Sequence, residues 1–172
     1  MKFIYQGFGI LALLSMTGAL SAQQAYLKTS VDPGRAGVFV DGKYLGPAAN
    51  FRIARTYALT PGKHEVKLVD PRYEEFTTSV ELTVGKTTKL EQKLKRLPAP
   101  KGPFGAVRTP VGEKYAAVYV NSHFVGHADE FSNGSQKLLL PVGEYEIRVE
   151  KASGAPIVQK IKVEEGKTVI VK

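Results

Sequence analysis

The chain has no cysteine, no tryptophan and only three histidines among its 172 residues. Without cysteine it can form neither a disulfide nor a thiolate metal site, and it offers no cysteine for a lipid anchor. Stability must therefore come from packing alone. Long apolar runs are equally scarce. One stretch stands out, from Phe8 to Leu14 and continuing weakly to Leu20, and Gly9, Ser15, Thr17 and Gly18 interrupt it. It falls short of the roughly 20 residues that a spanning helix needs. No segment keeps a 3.6-residue hydrophobic period, and Asn50 to Ala58, rich in β-branched and aromatic residues, reads as a loop leading into a strand. A nucleophile-elbow motif is missing, and no glycine-rich phosphate loop opens a helix, so both of those enzyme classes lack their signatures.

What is present at the start is a short basic end, Lys2, followed by the apolar stretch. Small residues come next at Ala19, Ser21 and Ala22, before Gln23 and Gln24. This is the pattern of a cleavable secretory signal over residues 1–22, with cleavage expected between Ala19 and Gln23. The expectation is export to the periplasm or cell surface, with no transmembrane segment in the mature chain. Net charge is +8. It is uneven: residues 26–97 carry thirteen Lys/Arg against eight Asp/Glu, and residues 104–172 nine against eight. A basic first half suits an anionic surface, and export argues against nucleic acid as that surface.

The chain repeats itself. Gly37-Val38-Phe39-Val40-Asp41-Gly42-Lys43-Tyr44-Leu45-Gly46 aligns with Ala117-Val118-Tyr119-Val120-Asn121-Ser122-His123-Phe124-Val125-Gly126 at a constant offset of 80. Phe51 pairs with Phe131 and Pro61 with Pro141; then one residue is gained, and Gly62, His64, Val66 and Leu68 match Gly143, Tyr145, Ile147 and Val149. Within each copy apolar residues alternate with polar ones, as in Glu144 to Glu150, which marks half-buried strands. Asp41-Gly42, Pro61-Gly62, Ser132-Asn133-Gly134 and Glu165-Gly166 punctuate these runs, and Asp-Gly favours a type I′ hairpin. Six or seven short strands per copy predict an all-β protein: two small antiparallel β-sandwich domains of immunoglobulin or transthyretin type, in tandem. The boundaries are 25–97 for the first domain, 98–103 for a proline-rich linker and 104–172 for the second. Pro98, Pro100 and Pro103 favour a stiff, extended spacer, so the two domains are expected to sit at a limited range of distances without fusing into one core.

The Val38–Gly46 hairpin resembles the PEGA family of bacterial and archaeal surface-associated repeats. Pro33 and Ala36 stand at the ends of the Pro-Glu-Gly-Ala signature, with Gly34 and Arg35 between them, and Val38, Val40, Asp41, Gly42 and Gly46 match the pattern. The second copy keeps Ala116, Val118, Val120 and Gly126, with Asn121-Ser122 for Asp-Gly, and its Asp129-Glu130-Phe131 resembles the acidic-aromatic loop of some members. The resemblance implies β-sandwich modules of envelope and surface proteins, without a shared catalytic residue.

Candidate chemistry is sparse. His123, His127 and Asp129 lie in or beside one loop and have proper ligand types for a zinc-class ion, but no fourth ligand is evident. They support one enzymatic alternative, a metal-assisted hydrolase. His64 falls on a buried face as a rim histidine with an ordinary hydrogen bond. Tyr44 and Phe124 occupy equivalent places after the hairpin turn, where exposed aromatic faces can stack on sugars or anchor a protein. The expectation is a non-enzymatic envelope module with neither cofactor nor metal. Its partner is an envelope polysaccharide or an envelope protein, contacted through Tyr44, Phe124, His127 and Asp129.

Overall fold

The computed structural model describes residues 23–53, 55–109, 114–151 and 153–172. The expected signal segment, residues 1–22, lies outside the described residues. No helix among the described residues is long and apolar enough to cross a membrane.

The first repeat runs β1 (Ala25–Asp32), β2 (Gly37–Val40), β3 (Lys43–Pro47), a 3-10 turn (Ala48–Phe51), β4 (Tyr57–Leu59), β5 (Gly62–Val69), β6 (Phe76–Leu82) and β7 (Thr87–Lys93). The second runs β8 (Phe104–Arg108), β9 (Ala117–Val120), β10 (His123–His127), a one-turn helix α1 (Ala128–Phe131), β11 (Leu138–Pro141), β12 (Gly143–Glu150), β13 (Ile157–Val163) and β14 (Thr168–Ile170). Each repeat is a two-sheet sandwich, with orders β4-β1-β7 and β3-β2-β5-β6 in the first, and β11-β8-β14 and β10-β9-β12-β13 in the second. The topologies are identical, element for element. Each three-stranded sheet holds one parallel pair, β1 with β7 and β8 with β14, and every other pairing is antiparallel. The one-turn helix at 128–131 and the 3-10 turn at 48–51 occupy matching places, too short to leave a periodic signal.

Alternation builds both cores. Leu27, Val38, Val40, Val66, Leu68 and Leu82 fill the first, and Val107, Val118, Val120, Ile147, Val149 and Val163 the second. Full burial of one such side chain contributes about 1.5–3 kcal/mol. Equivalent polar residues stitch the sheets together in each copy. Thr29 Oγ1 donates to Ala48 O at 2.9 Å, and Thr109 Oγ1 to Ala128 O at 2.6 Å. Both hairpins adopt the expected left-handed turn, with φ of 50° and 77° at Asp41-Gly42 and 47° and 67° at Asn121-Ser122. In each, the first turn residue's side chain accepts from the backbone of β5 or β12: Glu65 N to Asp41 Oδ1 and Glu146 N to Asn121 Oδ1, both at 2.9 Å.

The two cores stay separate, one within each repeat, but the repeats also touch. Besides the two cores, a third apolar cluster joins Val69 of the first repeat to Ala117, Tyr119 and Phe124 of the second, with Phe39 and Tyr44 packed against it. A proline-rich spacer limits where the domains can go, but it does not prevent their outer faces from meeting.

Candidate functional site: the seam and the cleft between the repeats

In an alternating strand the residue between two core valines points outward. Phe39 lies between Val38 and Val40, and Tyr119 between Val118 and Val120. Each pairs across its hairpin with a second outward aromatic, Phe39 with Tyr44 and Tyr119 with Phe124. Both four-stranded sheets therefore carry an aromatic outer face, and the two faces pack on one another. Ring centroids lie 5.5 Å apart for Phe39–Phe124, 5.4 Å for Tyr44–Phe124 and 5.8 Å for Tyr119–Phe124, in tilted or edge-on geometry. Such pairs contribute about 0.5–1.5 kcal/mol beyond their area. Gly37 makes the close approach possible, since a Cβ there would stand 2.8 Å from two Phe124 ring carbons.

The expectation of exposed aromatics is thereby corrected. Phe124 is 8% exposed and Tyr44 is half-buried, because the surface each covers belongs to the other repeat. His127, fully buried, packs its ring 5.9 Å from Tyr44 and 5.5 Å from Phe124. Its Nδ1 donates to Glu130 Oε1 at 2.6 Å, and its Nε2 has no polar partner. Asp129 Oδ2 accepts from Arg35 at 2.9 Å, and Glu130 lies 3.3 Å from the same guanidinium. Burial raises the Glu130 carboxyl's pKa, but the His127 hydrogen bond and the Arg35 charge outweigh it and hold the group below the usual carboxylate range.

The three ligand candidates do not converge. A bulge between Phe124 and Gly126 breaks the strand alternation, so His123 is exposed, with Nδ1 2.9 Å from Asn121 O, while His127 turns into the seam. Asp129 faces Arg35. Among the described residues no group of three or more His, Cys, Asp or Glu could hold a metal ion. His64 is buried as expected, with Nδ1 2.6 Å from Asp41 Oδ2 and Nε2 2.8 Å from Thr60 O. These two acceptors outweigh desolvation and raise its pKa.

The two sides of the seam differ, with a smaller cavity of about 470 Å³ beside Arg35 and Glu130 and a larger cleft opposite, and the repeat offset shows which residues make the difference. Arg35, Ala49 and Asn50 correspond to Tyr115, Asp129 and Glu130. Where Arg35 meets Asp129 and Glu130, ion pairs bridge the rim. At the opposite rim Tyr115 and Asn50 stand in the matching places, neither is charged, and a cleft of about 1050 Å³ opens. It is lined from both repeats by Lys43, Tyr44, Phe51, Arg55 and Tyr57, and by Lys114, Tyr115, Tyr119, Arg148 and Lys151. Tyr44 Oη donates to Tyr115 O at 3.4 Å across its floor. Arg148 lies over the Tyr119 ring, 4.2 Å from the centroid. Burial, with the nearby Glu150 carboxylate, pushes the Tyr119 hydroxyl up to about 12, and burial likewise pushes Tyr44 upward, so both remain neutral donors. Of the functional features, sequence reasoning missed this cleft. Its signal was the outward Phe39 and Tyr119, each set between core valines.

A comparison with curated proteins finds no match. Among solved structures, the Bacillus anthracis TIE protein matches with 16% identity and a TM-score of 0.34, covering 87% of this chain. This chain spans 34% of that protein's length. Residues 27–98 match the PEGA domain family, over the stretch that the strands of the first sandwich occupy. The second sandwich repeats, strand for strand, the first, whose residues 27–98 match the PEGA domain family.

Proposed function

We propose that this chain is a non-enzymatic binding module of the cell envelope, exported by its N-terminal segment, which holds its partner in the cleft between its two repeats. The observation that carries the reading is the cleft itself: both repeats line it, and Tyr115 and Asn50 stand at its rim where Arg35 and Glu130 stand at the other. Its lining of tyrosines and long cationic side chains suits binding. His127 and Asp129, the best acid–base candidates in the sequence, are engaged by Glu130 and Arg35 instead. An envelope polysaccharide or an envelope protein both fit the class. A protein that binds through a preformed cleft needs its two walls held at a fixed distance, which the aromatic seam supplies.

The test is retention on purified envelope material, comparing the native protein with Tyr115→Ala and Arg55→Ala. Neither side chain belongs to a core or to the seam cluster. Reduced retention of both variants, with unchanged thermal stability, is expected; retention equal to the native protein would remove the cleft as the binding surface.

A further inference from the structure

Resting on that reading, we infer that the ligand of the inter-repeat cleft is an anionic sugar polymer, one whose units carry carboxylate or phosphate groups. Charge is the first argument. Five cations line the cleft, Lys43, Arg55, Lys114, Arg148 and Lys151, against one acid, Glu150. Glu150 is paired with Arg148. Among the described residues no acid lies within ion-pair distance of the other four cations, two from each repeat. Even with Glu113, next in sequence to Lys114, cations exceed acids by five to two. A concave site of one sign concentrates the opposite charge along its length.

The second argument is what lies between the cations. Tyr57 and Tyr115 are half-buried, and Lys114 sits 5.2 Å from the Tyr115 centroid. Ring faces flanked by ammonium groups match a sugar ring that carries an acid at its edge: its C–H face stacks while the anion pairs.

A peptide is served less well. Of the strands beside the cleft, β3 and β4 are sheet edges; in β3 Pro47 removes a donor and a bulge interrupts the edge, and β4 spans only Tyr57–Leu59, which is short for strand addition. Apart from Leu45 and Ala116 the lining has no aliphatic side chain, so no pocket is built for an aliphatic anchor.

The experiment is calorimetric titration of the purified protein with oligogalacturonate and with its fully methyl-esterified form, which has the same backbone without the charge. Three variants accompany it: Lys114→Gln/Lys151→Gln, Tyr115→Ala, and Lys86→Gln/Lys101→Gln, which removes equal charge away from the cleft. The acid form is expected to bind, with affinity reduced about tenfold or more by each cleft variant and little by the remote pair, since two lost contacts of that kind and screening by salt act locally. Equal loss with the remote pair would mean diffuse charge attraction and overturn the inference. Equal binding of the ester would also overturn it while leaving a glycan-binding cleft. Failure of both probes would overturn it too. If cleft-dependent retention on envelope material persists in that case, the ligand is of another class; if that retention is also absent, the cleft reading fails with it.

Discussion

At the residue scale the duplication is its own control, because one backbone position is solved twice. At the second hairpin position Gly42 and Ser122 both have positive φ, 77° and 67°. Glycine adopts this freely, whereas an L-residue with a Cβ is disfavoured by roughly 1–2 kcal/mol. Ser122→Gly is therefore expected to stabilise the protein by about 1 kcal/mol, read as a higher denaturation midpoint. An unchanged or lower midpoint would show that serine sits there without strain. A second contrast is chemical. Asp41 and His64 in the first repeat become Asn121 and Tyr145 in the second, where Tyr145 Oη donates to Pro141 O at 3.0 Å, much as His64 faces Thr60 O. Only the first pair joins a carboxylate to an imidazole. Asp41 accepts from His64 and from Glu65 N, so its carboxyl is held below the ordinary 3.8, while His64 is raised above 6.5. The Asp41 contribution is present above about pH 4 and is lost as pH falls; the His64 contribution is present below about 6.5 and is lost as pH rises through its folded value. The stability difference between the native protein and His64→Gln is expected to be larger at pH 5.5 than at pH 9 in urea titrations. A difference independent of pH would contradict the pairing.

At the scale of elements, the outer faces of the four-stranded sheets decide how the repeats meet. Gly37 in β2 lies under the Phe124 ring. Gly37→Ala places a methyl group where the ring now sits, and overpacking of this kind costs about 1–3 kcal/mol. The expected result is loss of stability shared by both repeats, together with altered chemical shifts at Phe39 and Tyr44. Shifts confined to β2 would show that the ring moves aside freely. The strands themselves were legible in the sequence, since alternation through Val38–Val40 and Glu144–Glu150 fixes which side chains turn inward, and Asp41-Gly42 fixes the hairpin. The short helical turns at 48–51 and 128–131 were not, because a single turn has no period to detect. The bulge at Gly126 was not legible either, and it separates His123 from His127. The same alternation that put Phe39 outward also marked an apolar face in need of cover. Nothing local to the strand says that the cover is the other repeat.

At the scale of the whole molecule, two sandwiches with complete cores are joined by a third cluster, and the divergence between the copies determines the shape of the join. Arg35 with Asp129 and Glu130 bridges one rim; Tyr115 with Asn50 leaves the larger cleft at the other. The positions that differ most between copies, His127 for Pro47 and Asp129 for Ala49, serve the contact between repeats and not a site of their own. Bridging of the rim has a testable energetic signature. In a double-mutant cycle, Arg35→Gln and Glu130→Gln are expected to couple by about 1 kcal/mol, an amount moderated because Arg35 is 47% exposed. Additive effects would mean that the pair does not hold the rim.

All of this depends on the outer faces meeting in solution. The most direct measurement is a nuclear Overhauser spectrum of the ring protons of Phe39 and Phe124, whose centroids lie 5.5 Å apart across the seam, with Phe51 and Tyr57, 4.9 Å apart within the first repeat, as the internal standard. Cross-peaks for both pairs are predicted. A Phe51–Tyr57 cross-peak without one between Phe39 and Phe124 would mean two folded but separate domains, with no seam and no cleft.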